Sequence, residues 1–364
     1  MSDLYEIVSS SGNYQIEVGP ELIQKTVRLL PEAVYIIDQN LIDRIPAEIK
    51  NRVVIEAVET NKALEAIPEY VASLGRLGVT RDTHLVAVGG GIIQDITTFI
   101  ASIYMRGLSW TYLPTTVLSM ADACIGGKSS INVFKFKNLV GNFYPPKEIY
   151  IDLSFISTLS EDMIIGGLFE AAKICYAKDQ ECFSRYISLQ PSASASQEKM
   201  RAIIGLSLAT KKWFIEVDEF DRNERLLLNF GHTFGHALEA ATDFEVHHGI
   251  GVGVGMLAAC LFSEKKYSLS VKGKNSVNAL RRHIIAMLVK NDGKLVVLPK
   301  QIDLNLVLEK FDYDKKHRAN AYRVVIPNED GRLELVALEK NQATRADIRH
   351  VYQEALTNIG WSFY

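Results

Sequence analysis

The chain has 364 residues, which favours two domains because single hydrophobic cores rarely grow beyond about 250 to 300 residues. Hydrophobic residues make up 48% and charged residues 23%, which is the usage of an ordinary globular protein and excludes a disordered one. A net charge of −3 and a pI near 6.3 give no reason to expect nucleic acid or a membrane as partner.

The first part of the chain, residues 1–152, alternates short β-branched runs with helical patterns. The runs are YQIEVG, AVYIID, RVVIEAV, HLVAVGGG, WTYLPTT and EIYID. Between the third and the fourth lies KALEAIPEYVASLGRLGV, a predicted helix with Thr60 or Asn61 as its cap. This alternation predicts an α/β domain with a mainly parallel sheet.

From about residue 155, apolar positions recur at helical spacing for most of the chain. One late pair of runs, AYRVVIP and RLELVALE, is separated by NEDG and predicts a hairpin. Residues 153–364 are therefore expected to form a mostly α-helical domain. With the boundary near 153, the cleft between the two domains is the expected ligand site.

Cysteine usage and the N-terminus favour the cytoplasm. The four cysteines form no C-x-x-C pair and are too few to predict a disulfide framework. The opening MSDLYEIVSS lacks a basic segment followed by an apolar run, so we expect no signal peptide. The longest uncharged stretch, GIGVGVGMLAACLFS, is shorter than the roughly 18 residues that span a bilayer.

A glycine-rich turn, VAVGGGIIQD, ends one predicted strand and enters a helix, where backbone amides can approach a phosphate. Gly89 and Gly91 fit the dinucleotide pattern G-x-G-x-x-G, but Gln94 replaces the third glycine. A tight turn without a ligand also uses glycines, so both interpretations stay open. Asp38 and Asn40 follow an earlier strand, where an acid can meet a ribose or simply occupy a turn.

The segment PTTVLSMADACIGGKSSINVFKFKN is too rich in small, turn-forming and charged residues to be core. Asp122 and Lys128 flank its Ile-Gly-Gly, Lys137 and Asn138 close it, and Arg106 lies just before its strand. Cations with amide and hydroxyl donors suit an anionic substrate. A solvated loop with ordinary surface charges is the alternative.

Four of the eight histidines fall in LLLNFGHTFGHALEAATDFEVHHG. His232 and His236, at i and i+4, share one face of a helix predicted for residues 225–241. Upstream, GGLFEAAKICYAK carries Glu170 and Lys173 among apolar neighbours, which favours a buried functional pair over a surface ion pair. A carboxylate, one histidine of this helix and one of the later pair would give the three-ligand site of a catalytic zinc. Structural histidines are the alternative.

These segments, in this order, resemble the 3-dehydroquinate synthase family of sugar phosphate cyclases. The resemblance runs from GNYQIEVGPELI to DYDKK and is densest in GGGIIQD, IYMRG, LPTT, GGKSSIN, KNLVGNFYPP, EIYIDLSFISTLS, RLLLNFGHTFGHALE and HHG. It implies an NAD-binding α/β domain, a helical metal-binding domain, a small anionic sugar phosphate as substrate and a homodimer.

The resemblance also implies individual roles. The ligands of zinc or cobalt would be Glu170, His232 and His248, with His247 a bystander. NAD would be held by Asp38, Asn40, Glu59, Lys62, Gly90, Gly91, Asp95, Thr115 and Thr116. Substrate would contact Arg106, Asp122, Lys137, Asn138, Lys211 and Arg225, and the catalytic residues would be Lys128, Lys173, His236 and Asn229. His236 would handle protons near the phosphate, and Lys315 or Lys316 would complete the phosphate site.

The implied reaction converts 3-deoxy-D-arabino-heptulosonate 7-phosphate to 3-dehydroquinate and phosphate. NAD oxidises a hydroxyl that zinc acidifies, phosphate leaves, the hydride returns, and an intramolecular aldol step closes the ring. Lys211 and Arg225 match the two cations that would hold the carboxylate of this substrate. Relatives that use neutral sugar phosphates are expected to lack this pair.

Several positions depart from the family pattern and leave alternatives open. Besides Gln94, the sequence has DAC where serines commonly follow the acid, changes around Glu170, and Ile250 where an acid usually follows HG. The last change could alter how His248 is oriented. The alternatives are a cyclase for an aminated heptulosonate or sedoheptulose 7-phosphate, a metal-dependent alcohol dehydrogenase that releases NADH, and a non-catalytic binding protein with a broken metal triad.

Overall fold

The computed structural model describes residues 2–134, 136–289, 294–297, 299, 301–314 and 317–364. The chain divides into two compact units, the first comprising the chain up to Leu159 with Lys211–Glu219, the second Ser160–Thr210 with Phe220–Tyr364. The α/β and mostly helical classes expected from the sequence are confirmed. The functional boundary between residues 152 and 153 stays a prediction.

The first unit is built on a seven-stranded sheet. The strands of this part of the chain are β1 (Asp3–Ile7), β2 (Tyr14–Gly19), β3 (Val34–Asp38), β4 (Arg52–Ile55), β5 (Leu85–Gly89), β6 (Trp110–Pro114), β7 (Ile131–Val133), β8 (Phe136–Val140) and β9 (Glu148–Asp152). The sheet order is β1-β2-β9-β6-β5-β3-β4, with β1 antiparallel to β2 and every other pair parallel. All strands predicted from the runs in this region are present. β5 and β6 are buried throughout, as expected for parallel strands covered on both faces.

The remaining strands and one helix boundary differ from the prediction. β1 lies at the sheet edge, and β7 and β8 form a separate two-stranded hairpin within the polar segment. The helices are α1 (Leu22–Leu29), α2 (Ile67–Arg76) and α3 (Gly91–Ile103). The predicted start of α2 near Thr60 or Asn61 is wrong, because 3-10 turns precede it and Pro68 stands at its second residue. A helix that began earlier would place Pro68 in its interior, where proline removes a hydrogen bond and clashes with the preceding turn.

The second unit is a helical assembly with one hairpin. Its elements are α4 (Glu161–Lys178), α5 (Gln180–Ser188), α6 (Gln197–Val217), α7 (His232–Ala241), α8 (His248–Lys266), α9 (Val271–Leu288), α10 (Leu304–Asp312), β10 (Ala321–Pro327), β11 (Leu333–Glu339) and α11 (Gln342–Asn358). The end of α6 belongs to the first unit. The hairpin expected from AYRVVIP and RLELVALE is confirmed as β10 and β11.

Helix α8 is the centre of the second unit. It is buried from Gly249 to Ser263, and α4, α7 and α11 pack around it. A helix that is apolar on all sides is stable only when it is buried in this way. In the described part of the chain, no helix is both long and apolar enough to cross a membrane.

Helix α7 begins at His232, so the helix predicted for residues 225–241 is wrong in its first part. A 3-10 turn over Glu224–Asn229 comes first, and Gly231 then adopts a φ of 76°. A Cβ atom at Gly231 would lie 2.6 Å from the carbonyl oxygen of Val252. Close packing against α8 therefore requires glycine there, and this glycine separates the turn from the helix.

Candidate active site

The residues expected to bind NAD gather at the carboxyl edge of the parallel strands. Asp38 ends β3, Glu59 and Lys62 follow β4, Gly90 and Gly91 open α3 after β5, and Thr115 and Thr116 follow β6. Ligands of open α/β sheets bind at this edge. The side chain of Asp38 accepts hydrogen bonds from the backbone amide and side chain of Asn40, at 3.0 and 3.2 Å. Burial raises the pKa of Asp38, and these bonds oppose the shift.

Lys62 is the buried centre of a charge cluster in the first unit. Its Nζ lies 3.0 Å from Asp95 Oδ2, 3.7 Å from Glu59 Oε1 and 2.9 Å from Asn138 Oδ1. Burial raises the pKa of Asp95 to about 6 although Lys62 opposes that rise. Burial alone would lower the pKa of Lys62, but Asp95 and Glu59 outweigh it and the pKa is raised. The buried cation is thus compensated by its neighbours.

The same cluster joins two groups of residues that the sequence assigned to different ligands. Lys137 Nζ lies 3.4 Å from Glu59 Oε1, and Asn132 donates a hydrogen bond of 2.9 Å to the same oxygen. The amide of Asn138 donates to Asn132 Oδ1 at 2.8 Å. Lys137 and Asn138, expected at the substrate, therefore share partners with Glu59 and Lys62, expected at NAD. Asn132 was not singled out from the sequence.

A second cluster of the first unit holds Asp122, which lies in a short π-helical turn over Ser119–Ala123. The ammonium group of Lys211 forms an ion pair with the Asp122 carboxylate and donates to its backbone carbonyl at 2.5 Å. The side chain of Gln94 donates to the carbonyl of Ala123 at 2.7 Å and is only 3% exposed. Gln94 therefore fastens α3 to the turn that carries Asp122.

The other expected contacts of the first unit are more open. Arg106 is exposed and has a φ of 71°, and Asn138 has a φ of 53°. Left-handed conformations at residues other than glycine are costly and concentrate at functional sites. The ammonium group of Lys128 lies 5.9 Å from the centre of the Phe143 ring.

In the second unit, three helices bring a carboxylate and two histidines together. Glu170 of α4 is 1% exposed, and its Oε2 forms an ion pair with the buried Lys173. Its other oxygen, Oε1, lies 3.8 Å from His232 Nε2 of α7 and 3.4 Å from His248 Nε2 of α8. The backbones of α4 and α8 touch here, since a Cβ atom at Gly249 would lie 2.5 Å from backbone atoms of the glycine that precedes Glu170 by one turn.

Hydrogen bonds orient both histidine rings in the same way. The Nδ1 atom of His232 lies 3.2 Å from the carbonyl oxygen of Phe230, and that of His248 lies 3.0 Å from Glu239 Oε1. A carbonyl and a carboxylate only accept hydrogen bonds, so each Nδ1 carries the proton. Each Nε2 atom lies on the side of Glu170, and without a proton it would offer its lone pair to a metal ion there. Two imidazoles and a carboxylate suit zinc or cobalt.

His236 adds a third histidine to the cluster. The ligand atoms of His232, His236 and His248 lie within 4.8 Å of one another. His236 Nδ1 is 3.9 Å from Asp314 Oδ2, and its side chain is 34% exposed. The side chain of His236 is about as exposed as that of His248, at 39%, and more exposed than that of His232, at 15%. His247 Nε2 lies 3.5 Å from Asp162 Oδ2. None of the contacts described above joins His247 to Glu170 or to the three histidines.

Glu239 was not identified from the sequence. Burial would lower the pKa of His248, but Glu239 and Glu170 raise it to about 10. The surroundings of this ring therefore stabilise a positive charge, which suits a divalent cation as well as a proton. A signal for Glu239 exists, since it stands at i+7 from His232 and i+3 from His236 on the same helical face.

The last expected residues lie before α7. Arg225 is 3% exposed, and the side chain of Asn229 donates to the carbonyl of Leu226 at 3.1 Å. Lys211 and Arg225, which the sequence paired at the substrate carboxylate, belong to different units. Lys315 and Lys316 lie outside the described residues.

Two family models match the chain: 3-dehydroquinate synthase N-terminal over residues 52–166 and 3-dehydroquinate synthase C-terminal over residues 167–317. The 3-dehydroquinate synthase of Methylacidiphilum infernorum is 30% identical over 96% of this chain and 98% of its own length. That of Thermoanaerobacter sp. (strain X514) is 34% identical over 79% of each chain. The chain therefore belongs to the 3-dehydroquinate synthase family, an enzyme family, and the resemblance inferred from its motifs is confirmed.

A solved structure shares the fold. The crystal structure of 2-deoxy-scyllo-inosose synthase complexed with carbaglucose-6-phosphate, NAD⁺ and Co²⁺ gives a TM-score of 0.84. It is 21% identical in sequence and covers 97% of this chain and 99% of that chain. The likeness shows that the two proteins share this fold.

Proposed function

We propose that the chain converts 3-deoxy-D-arabino-heptulosonate 7-phosphate to 3-dehydroquinate and phosphate, as a cytoplasmic homodimer. The observation that carries the proposal is the convergence of Glu170 with His232 and His248 in a member of this family. These three residues would hold zinc or cobalt, and the carboxyl-edge residues of the first unit would hold NAD. Relatives named for this activity support the assignment.

When bound, the metal ion would supply Lewis acidity at a substrate hydroxyl, and NAD would accept and return a hydride within one turnover. The protein's own residues do the rest. Lys173 forms a buried ion pair with Glu170 and so holds this carboxylate in place. His236, partly exposed beside the two histidine ligands, moves protons to and from the phosphate end of the substrate. Asn229 and Lys128 contact the reacting part of the substrate.

Substrate choice rests on the charged residues. Lys211 and Arg225 would bind the carboxylate, while Arg106, Lys137 and Asn138 would bind phosphate and hydroxyl groups. A metal-dependent alcohol dehydrogenase needs no such set of cations for a simple alcohol. The substrate distinguishes this activity from that of cyclases whose sugar phosphates lack a carboxylate, because such a substrate gives Arg225 no carboxylate to bind.

The test is phosphate release by zinc-loaded protein with NAD, from 3-deoxy-D-arabino-heptulosonate 7-phosphate and from sedoheptulose 7-phosphate in parallel. We expect rapid release from the first substrate alone, with no net NADH. His248→Ala should abolish release, and His247→Ala, which changes the neighbouring histidine outside the cluster, should retain it. Release from sedoheptulose 7-phosphate would indicate another cyclase, and stoichiometric NADH would indicate a dehydrogenase.

A further inference from the structure

The contact between Glu239 and His248 links the expected metal ligands to a residue without an assigned role. Glu239 lies on α7, is 6% exposed, and approaches His248 Nδ1 at 3.0 Å with its Oε1 atom. Residues at i, i+4 and i+7 share one helical face, so His232, His236 and Glu239 form a single stripe on α7. One helix thus presents a metal-binding histidine and, two turns later, a carboxylate for a histidine of α8.

The residues that follow His248 on α8 are compatible with Glu239 as the hydrogen-bond acceptor of its ring. Ile250, two positions after His248, is fully buried and apolar, so its side chain offers no hydrogen-bond acceptor. Gly251 makes room for the carboxylate, because a Cβ atom there would lie 2.9 Å from Glu239 Cγ and 3.0 Å from Glu239 Oε1. The start of α8 is therefore shaped around the side chain of Glu239.

We propose that Glu239 is the positioning residue that fixes the His248 ring and strengthens its binding of the metal ion. The proposal rests on the metal site of the proposed function. A carboxylate that accepts a hydrogen bond from Nδ1 holds the ring with Nε2 on the side of Glu170. It also makes Nε2 more basic and therefore a stronger metal ligand. At His232 the backbone carbonyl of Phe230 lies at the equivalent position. The two histidine ligands thus differ in the group that accepts the Nδ1 proton, a carboxylate at His248 and a backbone carbonyl at His232.

Chelator competition against Zn²⁺ and Co²⁺ tests the proposal on the full chain. Glu239→Gln keeps the shape and an acceptor oxygen but removes the charge, and Glu239→Leu removes both. We expect metal affinity about 10-fold weaker in the first variant and about 100-fold weaker in the second. The visible absorption of bound Co²⁺ should shift in both, because it reports the arrangement of the ligands.

Asp162→Asn is the matched control. Asp162 pairs with His247 at 3.5 Å, so the variant removes a carboxylate from the histidine next to His248. Its metal affinity and Co²⁺ spectrum should equal those of the unaltered chain. Circular dichroism of the metal-free variants separates loss of fold from loss of orientation.

Three results would overturn the proposal. If Glu239→Gln and Glu239→Leu bind both metals as the unaltered chain does, the positioning role fails while the metal site stands. If the unaltered chain shows no affinity for either metal, the metal site of the proposed function fails and the positioning role fails with it. A weakened Glu239→Leu with an unchanged Co²⁺ spectrum would also refute positioning, since only packing would have been lost.

Discussion

Lowering the pH should destabilise the second unit through His283, a partly buried histidine of α9 that packs among aromatic rings. The ring centres of Phe169, Phe183 and Tyr186 lie 6.4, 6.5 and 5.3 Å from its own. The Tyr186 hydroxyl donates to the carbonyl of Leu168 at 2.9 Å and lies 3.2 Å from His283 Nε2. The single hydroxyl proton is used at Leu168, so Nε2 donates to Tyr186 and the neutral ring carries its proton there.

Burial lowers the pKa of His283 from its ordinary value of 6.5 to about 4. A depressed histidine pKa contributes stability that is present above pH 6.5 and is lost as the pH falls toward 4. Because a tenfold change in proton affinity is worth about 1.4 kcal/mol, the full contribution is about 3 kcal/mol. Between pH 7.5 and pH 5, about 2 kcal/mol of it should disappear.

The free energy of urea unfolding at these two pH values, for the unaltered chain and for His283→Gln, measures this contribution. The glutamine amide can still donate to Tyr186 but does not titrate, so other titrating groups affect both proteins alike. The unaltered chain should lose about 2 kcal/mol more than the variant on acidification. Equal losses would refute the inference that His283 is neutral in the folded chain.

Three further changes address the clusters of the candidate site. Arg225→Ala should weaken a carboxylate-bearing substrate about 10- to 100-fold but inorganic phosphate much less, measured as KM against inhibition constant; equal losses would contradict a carboxylate role. Lys62→Met should cost about 3 kcal/mol in urea unfolding because Asp95 loses its buried counter-ion, and an unchanged midpoint would contradict the compensation argued above. Gln94→Gly should cost about 2 to 4 kcal/mol, since it removes the bond to Ala123 and places glycine in a helix; a neutral effect would mean that this bond contributes nothing.

The secondary structure that the sequence predicted correctly is the part set by local pattern. β5 and β6 are short apolar runs bounded by turn residues. Such runs are typical of parallel strands that are covered on both faces of the sheet. The two wrong helix starts depend on other considerations. α2 begins late because of a proline inside an otherwise helical pattern, and α7 begins late because α8 approaches Gly231. The second cause lies in tertiary packing and is invisible in periodicity.

The site residues show a similar division. The family resemblance assigned Glu170, His232 and His248 to the metal, but it gave no contact between them, because they come from three helices. The Lys62 cluster likewise joins residues separated by 33 and 76 positions. Sequence separation of this size carries no local signal, so the partners of a buried charge become known only from the fold.

The departures from the family pattern acquire a physical meaning in the same way. Gln94 looked like a defect in a glycine turn, yet its side chain fastens α3 to the turn that carries Asp122. Ile250 removes an acid near His248, yet Glu239 supplies a carboxylate to that ring. At these two positions a hydrogen bond lies next to an expected site residue, to the turn of Asp122 in one case and to His248 in the other. Residues that determine a change of substrate should therefore be sought among groups that would contact the substrate, such as Arg225. Gln94 and Ile250 instead lie next to residues of the expected site.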